Sequence, residues 1–453
     1  MPNSRILFDR RWSILLPLLL AAGLVLPGCT GIAFPTSSQT LEHGWDESPE
    51  KLKLTLWHNW TGQDLNAITM RKQLDKFREE HPEIELLVEG IDQDAYRHRL
   101  KTMAAVDELP DVFVMWPDWM TREFVHGGLI QPIEEALARD PFWTDRFIPQ
   151  ASQAFTVDGR LYSLPMSLAP SSILFYNEQL LDQYNIPVPE TWEGLLQAIE
   201  VLNRHGVIPI AMGNKTNWTA QSGLFSALAD RWTGSEWLLQ AAEQSGSRFT
   251  DPIFLEALEL MQELVRKDAF QANFQQLDST QMRQLYIDKK AAMFIDGAWA
   301  VGHLLSDAPD EILDSTRLAL MPSIPGGKGS PSSIPAMVGT GLGISSRLHG
   351  EQLEAAYQLL YALSGPDAQQ AIFQSNTLVS YKLDLNKEAP RLFRELHQLT
   401  ENSELAPAYE SVLTSAALDV LNEGIRELLN GGEAEEIAYN IQAAQVLSLG
   451  KFR

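Results

Sequence analysis

The chain has 453 residues, 45% of them hydrophobic, and a formal net charge of −24 at pH 7. This length favours two domains and is sufficient for a sizeable hydrophobic core. The negative charge repels nucleic acid and anionic lipid headgroups, so we expect neither as a partner of the folded part.

The N-terminal segment has the pattern of a lipoprotein signal peptide. Basic residues precede an apolar stretch, residues 14–26, which is too short to span a bilayer comfortably. Gly28 then precedes Cys29, the only cysteine, as in a lipobox. We expect residues 1–28 to be removed and Cys29 to be lipidated, which would leave no thiol for a disulfide or a cysteine-based site. A buried structural cysteine and a twin-arginine signal at Arg10-Arg11 are the weaker alternatives.

Residues 29–50 are rich in Ser, Thr, Gln and Glu and predict a flexible tether. Strands are then predicted at residues 52–56, 84–89 and 110–116, with amphipathic helices between them. This alternation predicts a parallel sheet with right-handed crossovers. In such sheets, ligands bind beyond the carboxyl ends of the strands.

Tryptophans and polar side chains follow two of these strands. Asn59, Trp60 and Asp64 follow the first strand, and Trp116 and Asp118 follow the third. A single Trp is more often a core or interface residue, since Trp is highly buried on average. The same chemistry at two strand ends favours a binding site, because indoles pack on the apolar face of a sugar and carboxylates accept from its hydroxyls.

Residues 158–192 combine three local signals. The Asp158-Gly159 pair predicts a hairpin turn, residues 172–176 predict a buried strand, and Thr191 predicts a helix N-cap. In this order, the signals indicate a chain that leaves one α/β lobe and starts another.

The second half repeats the strand-end pattern. Asn217 and Trp218 follow a predicted strand at residues 209–213, and Asp296 and Trp299 end another apolar stretch. Catalytic motifs such as H-E-x-x-H and G-x-S-x-G are absent from the sequence, and the nine histidines do not cluster at metal-ligand spacing.

Together these motifs resemble those of the sugar-binding, maltose-binding-protein-like solute-binding proteins of bacterial ABC importers. The matching elements are Asp-Gly-Arg-Leu-Tyr-Ser-Leu-Pro at residues 158–165, Tyr-Asn-Glu at 176–178, Pro-Glu-Thr-Trp at 189–192, Ala-Ala-Met-Phe-Ile-Asp-Gly-Ala-Trp at 291–299 and a glycine-rich returning strand at 339–345. The resemblance extends from about Leu52 to beyond Tyr381. Arg160 replaces the usual Lys, and the Gly usual before Lys289-Lys290 is missing, which affects a turn rather than the site.

The resemblance implies a two-lobed α/β fold of the type II periplasmic-binding-protein class, with a mostly parallel sheet in each lobe and three hinge crossings. We expect the first lobe at residues 51–170 and 337–380 and the second at 171–336 and 381–453. The crossings are expected near residues 167–172, 334–338 and 378–382. The expected ligand-binding residues are Asn59, Trp60, Asp64, Trp116, Asp118, Asn217, Trp218, Asp296, Trp299, Gly339, Gly341 and Tyr381.

The function implied is capture of a carbohydrate, an oligosaccharide above all, in the cleft between the lobes. The sugar would pass to the permease subunits of an ABC importer, with no cofactor or metal. The protein would be an exported monomer, held on the extracytoplasmic face of a bacterial membrane only by its lipid.

Two other functions stay open at this point. A secreted glycosidase or lyase could use Asp118 and Asp296 as paired carboxylates, although nothing in their spacing favours this. A binder of peptides or metal ions is disfavoured by the number of strand-end tryptophans. The sequence does not identify the sugar, its length or its linkage.

Overall fold

The computed structural model describes residues 51–140, 143, 145–148, 151 and 154–450. These belong to one compact unit, Pro49–Arg453. Cys29, the predicted signal peptide and the whole of the predicted tether lie outside the described residues. In the described part of the chain, no helix is long and apolar enough to cross a bilayer.

The described chain contains both strands and helices. Its strands are β1 (Leu52–His58), β2 (Ile84–Gly90), β3 (Val112–Met115), β4 (Thr156–Val157), β5 (Arg160–Leu161), β6 (Leu168–Pro170), β7 (Ile173–Asn177), β8 (Ile208–Ala211), β9 (Ala291–Asp296), β10 (Thr316–Leu320), β11 (Ser333–Val338), β12 (Gly341–Ile344) and β13 (Glu404–Pro407).

The helices cover both faces of the sheets. They are α1 (Leu65–Glu80), α2 (Gln93–Ala104), α3 (Trp119–His126), α4 (Glu134–Leu137), α5 (Glu178–Gln183), α6 (Trp192–Arg204), α7 (Ser226–Thr233), α8 (Ser235–Glu243), α9 (Pro252–Arg266), α10 (Ser279–Ile287), α11 (Trp299–Asp307), α12 (Asp310–Ser315), α13 (Gly350–Ser364), α14 (Pro366–Gln374), α15 (Arg391–Glu401), α16 (Tyr409–Val412), α17 (Ser415–Leu428) and α18 (Ala434–Leu449). A π-helical turn, Ala220–Phe225, leads directly into α7.

The first lobe is built on a four-stranded sheet in the order β12-β3-β1-β2. β1 is parallel to both β2 and β3, as predicted, and β12 joins the edge antiparallel to β3. α1 begins where the Asp64 carboxylate accepts the Ala67 N–H at 3.0 Å, and its C-cap is His81, before Pro82. The predicted apolar face of α1 is buried: Ala67, Met70, Leu74 and Phe77.

The second lobe is built on a sheet in the order β10-β7-β9-β8. The mostly parallel arrangement expected for this lobe is wrong, because β7 is antiparallel to both β10 and β9 and only β8 and β9 pair in parallel. The strands wound within this lobe, β8, β9 and β10, therefore run in one direction. β7 enters from the first lobe and runs the opposite way between them, and the strand–helix alternation of the sequence does not encode that direction.

Successive residues of β7 face different cores, because side chains alternate across a strand. Leu174 and Tyr176 belong to a core under α6, α9 and α17. Phe175 stacks on Phe294 with ring centroids 4.5 Å apart, in a core that continues into the first lobe. All five residues of β7 are buried, and its mostly apolar composition thus reflects burial on both faces.

The local signals around residue 158 form as predicted. Asp158 and Gly159 have φ values of 50° and 77°, and β4 pairs antiparallel with β5 across them. Thr191 caps α6 by accepting the Gly194 N–H at 3.2 Å.

The three predicted crossings lie side by side. β6 is antiparallel to β11, and β11 is parallel to β13. The Leu168 N–H donates to the Leu378 carbonyl at 2.9 Å, and the Ser380 hydroxyl donates to the Ser167 carbonyl at 2.9 Å. β11 leads through two residues into β12 of the first sheet. This arrangement is that of a three-stranded connection between two lobes.

Candidate ligand-binding site

Arg97 organises the end of β3. Its guanidinium carbon lies 4.4 Å from the ring centroid of Trp116, and its Nη2 lies 2.5 Å from Oδ2 of Asp118. Asp118 also caps α3 by accepting the Met120 N–H at 2.9 Å. One face of Trp116 is therefore covered by a cation, and the Asp118 carboxylate is held in one orientation. Sequence reasoning missed Arg97, because an arginine on an amphipathic helix looks like any solvated residue.

His58 holds the loop after β1. The Trp60 N–H donates to His58 Nδ1 at 3.0 Å, and the two rings stack with centroids 4.9 Å apart. Burial lowers the pKa of His58 to about 4, and the charges of Arg71 and Arg78 add to that effect. A neutral imidazole suits this geometry, because a protonated Nδ1 could not accept the Trp60 N–H.

Asn59 stands at the same strand end with one amide oxygen available. Its Nδ2 donates to Oε1 of Gln93, which begins α2. Among the described residues, no donor reaches its buried Oδ1. A buried carbonyl oxygen without a donor is costly, so a ligand hydroxyl would stabilise it.

In the second lobe, Trp299 folds back over Gly297. A Cβ on Gly297 would lie 2.2 Å from Cη2 of Trp299, so the ring occupies the space that any other residue would fill. Asp296 accepts the Gly297 N–H at 2.8 Å and is paired with Arg283 at 2.9 Å. Trp218 lies beside Trp299 with ring centroids 6.2 Å apart.

Asn217 orients the loop that carries Trp218. It adopts a positive φ of 65°, which Asn tolerates better than most residues. Its Nδ2 donates to Oε2 of Glu423 on α17 at 3.0 Å. Asn217 is thus already engaged by a carboxylate of its own lobe.

The strand ends of the two lobes approach each other at α11. This helix, which begins with Trp299, packs against α1 of the first lobe. Burial lowers the pKa of His303 on α11, Arg283 adds to this, and the carboxylate of Asp64 at the start of α1 opposes it. Asp64 therefore lies within electrostatic reach of the helix that carries Trp299.

The remaining predicted residues lie in packed surroundings. A Cβ on Gly339 would lie 2.0 Å from Oγ of Ser167, and one on Gly341 would lie 2.3 Å from Oγ of Ser163. Both glycines allow neighbouring connections to approach closely. Tyr381 is 5% exposed and packs edge-on against Phe147. The structure gives these three residues a packing role and does not bring them to the tryptophans.

A cavity of about 250 Å³ lies where the first lobe, the connection and the second lobe meet. Its lining includes Asp118, Arg122 and Thr156, the β11 residue Val338 and Ser411. A larger cavity of about 540 Å³ lies within the first lobe, beside Tyr361 and Asp140, and contains none of the predicted residues. We place the candidate site at the first cavity because the strand-end residue Asp118 lines it. Among the described residues, no three metal-binding side chains cluster.

Comparison with known proteins identifies the family. The profile of the family described as bacterial extracellular solute-binding protein matches residues 60–370. The chain belongs to this family.

Relatives of this solute-binding protein are transporter binding proteins. An ABC transporter extracellular-binding protein of Pyrococcus horikoshii is 25% identical over 213 residues, 44% of this chain and 47% of that protein. The melibiose/raffinose/stachyose-binding protein of Bacillus subtilis is 29% identical over 182 residues, 40% of this chain and 37% of that protein. The chain spans about half the length of the first curated relatives that it matches.

Solved structures show the fold. A chitin oligosaccharide binding protein superposes with a TM-score of 0.80 at 23% identity, over 88% of this chain and 100% of that one. The two-lobed architecture of the type II periplasmic-binding class is therefore confirmed for this solute-binding protein.

Proposed function

We propose that this protein captures an oligosaccharide between its lobes and delivers it to the permease of an ABC importer. The observation that carries the proposal is the paired chemistry at the strand ends. Trp116 and Asp118 stand fixed in the first lobe, and Trp299 stands beside Asp296 and Trp218 in the second. Indoles pack against sugar C–H faces, and fixed carboxylates and amides accept from hydroxyls.

The relatives and the geometry support an oligosaccharide as the ligand. Relatives are named for multiple sugars and for melibiose, raffinose and stachyose. Aromatic residues on both lobes suit a ligand with more than one ring. Closure of the lobes around it would present a surface to the permease, which couples capture to docking.

A thermal-shift panel of melibiose, raffinose, stachyose and chitin oligosaccharides, with glucose and a tripeptide as controls, tests the proposal. A sugar present at one hundred times its dissociation constant should add about 2.7 kcal/mol to the free energy of unfolding. Calorimetric titration of each positive sugar then gives its affinity. If no sugar of the panel stabilised the protein, at concentrations up to tens of millimolar, sugar capture would be contradicted.

Incubation separates binding from catalysis. A binding protein returns its sugar unchanged, so no new reducing ends should appear after prolonged incubation with each bound oligosaccharide. New reducing ends, abolished by changing Asp118 or Asp296 to Asn, would instead support the carbohydrate-active enzyme.

The proposal includes export and anchoring. The signal-like segment before Cys29 supports a lipid-anchored protein on the extracytoplasmic face of a bacterial membrane, with the lipid as its only membrane contact. We also propose the monomer as the active form, with the lobe boundaries given above, because one chain supplies both halves of the site.

A further inference from the structure

Two polar contacts join helices of the first lobe to a single helix of the second. Nζ of Lys101 on α2 donates to both carboxylate oxygens of Asp419 on α17, at 3.0 and 2.9 Å. The Ser415 hydroxyl at the start of α17 donates to Oε2 of Glu123 on α3 at 2.9 Å. Ser415 and Asp419 are four residues apart and therefore share one face of α17.

The partners belong to separate lobes. α2 is fixed to the first sheet by Tyr96, whose hydroxyl donates to the carbonyls of Trp57 and Val114 at 2.9 and 3.0 Å. α17 packs into the second-lobe core and against α18. Because the partners belong to separate lobes, both contacts must break when the lobes separate.

Glu123 lies at the N-terminus of α17, whose N-cap is Thr414. Its carboxylate accepts the hydrogen bond of the Ser415 hydroxyl, and Ser415 is the first residue of α17. A carboxylate at a helix N-terminus also interacts favourably with the helix dipole. Burial raises the pKa of Glu123, while the Ser415 bonds and the nearby charge of Lys101 oppose the rise. Lys101 therefore lies near both carboxylates, that of Asp419 and that of Glu123.

We propose that Lys101, Asp419, Glu123 and Ser415 form an interlobe clasp that sets ligand affinity by stabilising the closed arrangement. They are positioning residues, because the apparent affinity of a two-state binder depends on the population of its binding-competent state. The inference rests on the proposed function, ligand capture by lobe closure. It adds that a specific part of the affinity comes from contacts between the lobes rather than from contacts with the sugar.

Dissociation kinetics test the interlobe clasp. With the sugar that the panel selects, Asp419→Asn and Lys101→Met should each accelerate dissociation about two- to five-fold with little change in association, which is the scale of an exposed ion pair. Glu123→Ala should accelerate it about ten-fold, since it removes a charge-assisted hydrogen bond. Glu123→Gln, which keeps an acceptor, should recover part of this loss.

The matched control is Glu427→Gln, which changes another exposed carboxylate of α17. It should leave dissociation unchanged. The exchanged pair, Lys101→Asp with Asp419→Lys, should return dissociation towards the wild-type rate, which a purely structural role would not produce. Asp419 is 64% exposed, so these surface changes should leave the fold intact.

A sugar-independent measurement separates the two proposals. Spin labels at Lys72→Cys on α1 and Glu200→Cys on α6, both exposed positions, report the distance between the lobes. In a Cys29→Ser background without sugar, Asp419→Asn and Glu123→Ala should shift the distribution to longer distances. Unchanged dissociation together with an unchanged distribution would overturn the interlobe clasp. If the wild-type protein binds no sugar but the two variants still shift the distance distribution, only the proposed ligand is overturned.

Discussion

Replacing His58 with Asn should remove a loss of stability that the wild-type chain shows on acidification. In the folded protein, burial and the charges of Arg71 and Arg78 lower the His58 pKa from 6.5 to about 4. In the unfolded chain, the imidazole titrates near its ordinary value. Between these two values, the unfolded state binds a proton that the folded state does not, so the free energy of unfolding falls as pH falls from 6.5 towards 4.

The magnitude follows from the size of the shift. Each pKa unit corresponds to about 1.4 kcal/mol, which sets an upper bound of about 3 kcal/mol on the loss of stability. Asn retains an acceptor for the Trp60 N–H but does not titrate. His58→Asn should therefore cost stability at pH 7 through lost ring stacking, and this cost should shrink as the pH falls.

Urea unfolding at pH 7, 6, 5 and 4.5 measures the difference. The exposed residue His98 provides the matched control, and His98→Asn should follow the wild type at every pH. If His58→Asn and the wild type lost equal stability between pH 7 and pH 4.5, the assignment of a neutral, buried His58 would be refuted.

Other predictions concern the site, the hinge and the anchor. Trp299→Ala should weaken sugar binding by roughly 2–4 kcal/mol in calorimetry. If the variant instead lost about 3–5 kcal/mol of its free energy of unfolding in urea without ligand and kept near-normal affinity, Trp299 would belong to the core. Gly297→Ala should displace the Trp299 ring and abolish the change in tryptophan fluorescence on sugar binding; a wild-type fluorescence response would contradict that packing. Small-angle scattering should show a smaller radius of gyration with saturating sugar, and an unchanged radius would exclude hinge closure. Cys29→Ser should release the protein from membranes in detergent-free fractionation, and continued membrane binding would refute lipidation.

Features that depend on a few neighbouring residues could be predicted from the sequence. The Asp158-Gly159 turn, the Thr191 cap and the buried face of α1 are all present. Each depends on backbone preference or on helical periodicity, which operate within about one or two turns of chain. The parallel β1–β2–β3 arrangement was also predictable, since a helix between two adjacent strands of one sheet makes them parallel.

The roles of the predicted site residues depended on longer-range packing. The sequence places Gly339 and Gly341 in a family motif and Tyr381 in an expected crossing, but folding packs them against the connection and against Phe147. Arg97 acquires its role only because α2 brings it over Trp116 and beside Asp118. No local pattern distinguishes this arginine from a solvated one.

The direction of β7 and the contacts between the lobes were decided by tertiary structure alone. β7 runs against its neighbours because it arrives from another lobe, and Lys101 meets Asp419 across a separation of 318 residues. Periodicity and turn preference are properties of short segments, whereas these features depend on how two separately wound sheets are brought together by the hinge. The sequence therefore predicts the helices and strands and the side-chain chemistry at their ends, and the fold determines which of those ends meet.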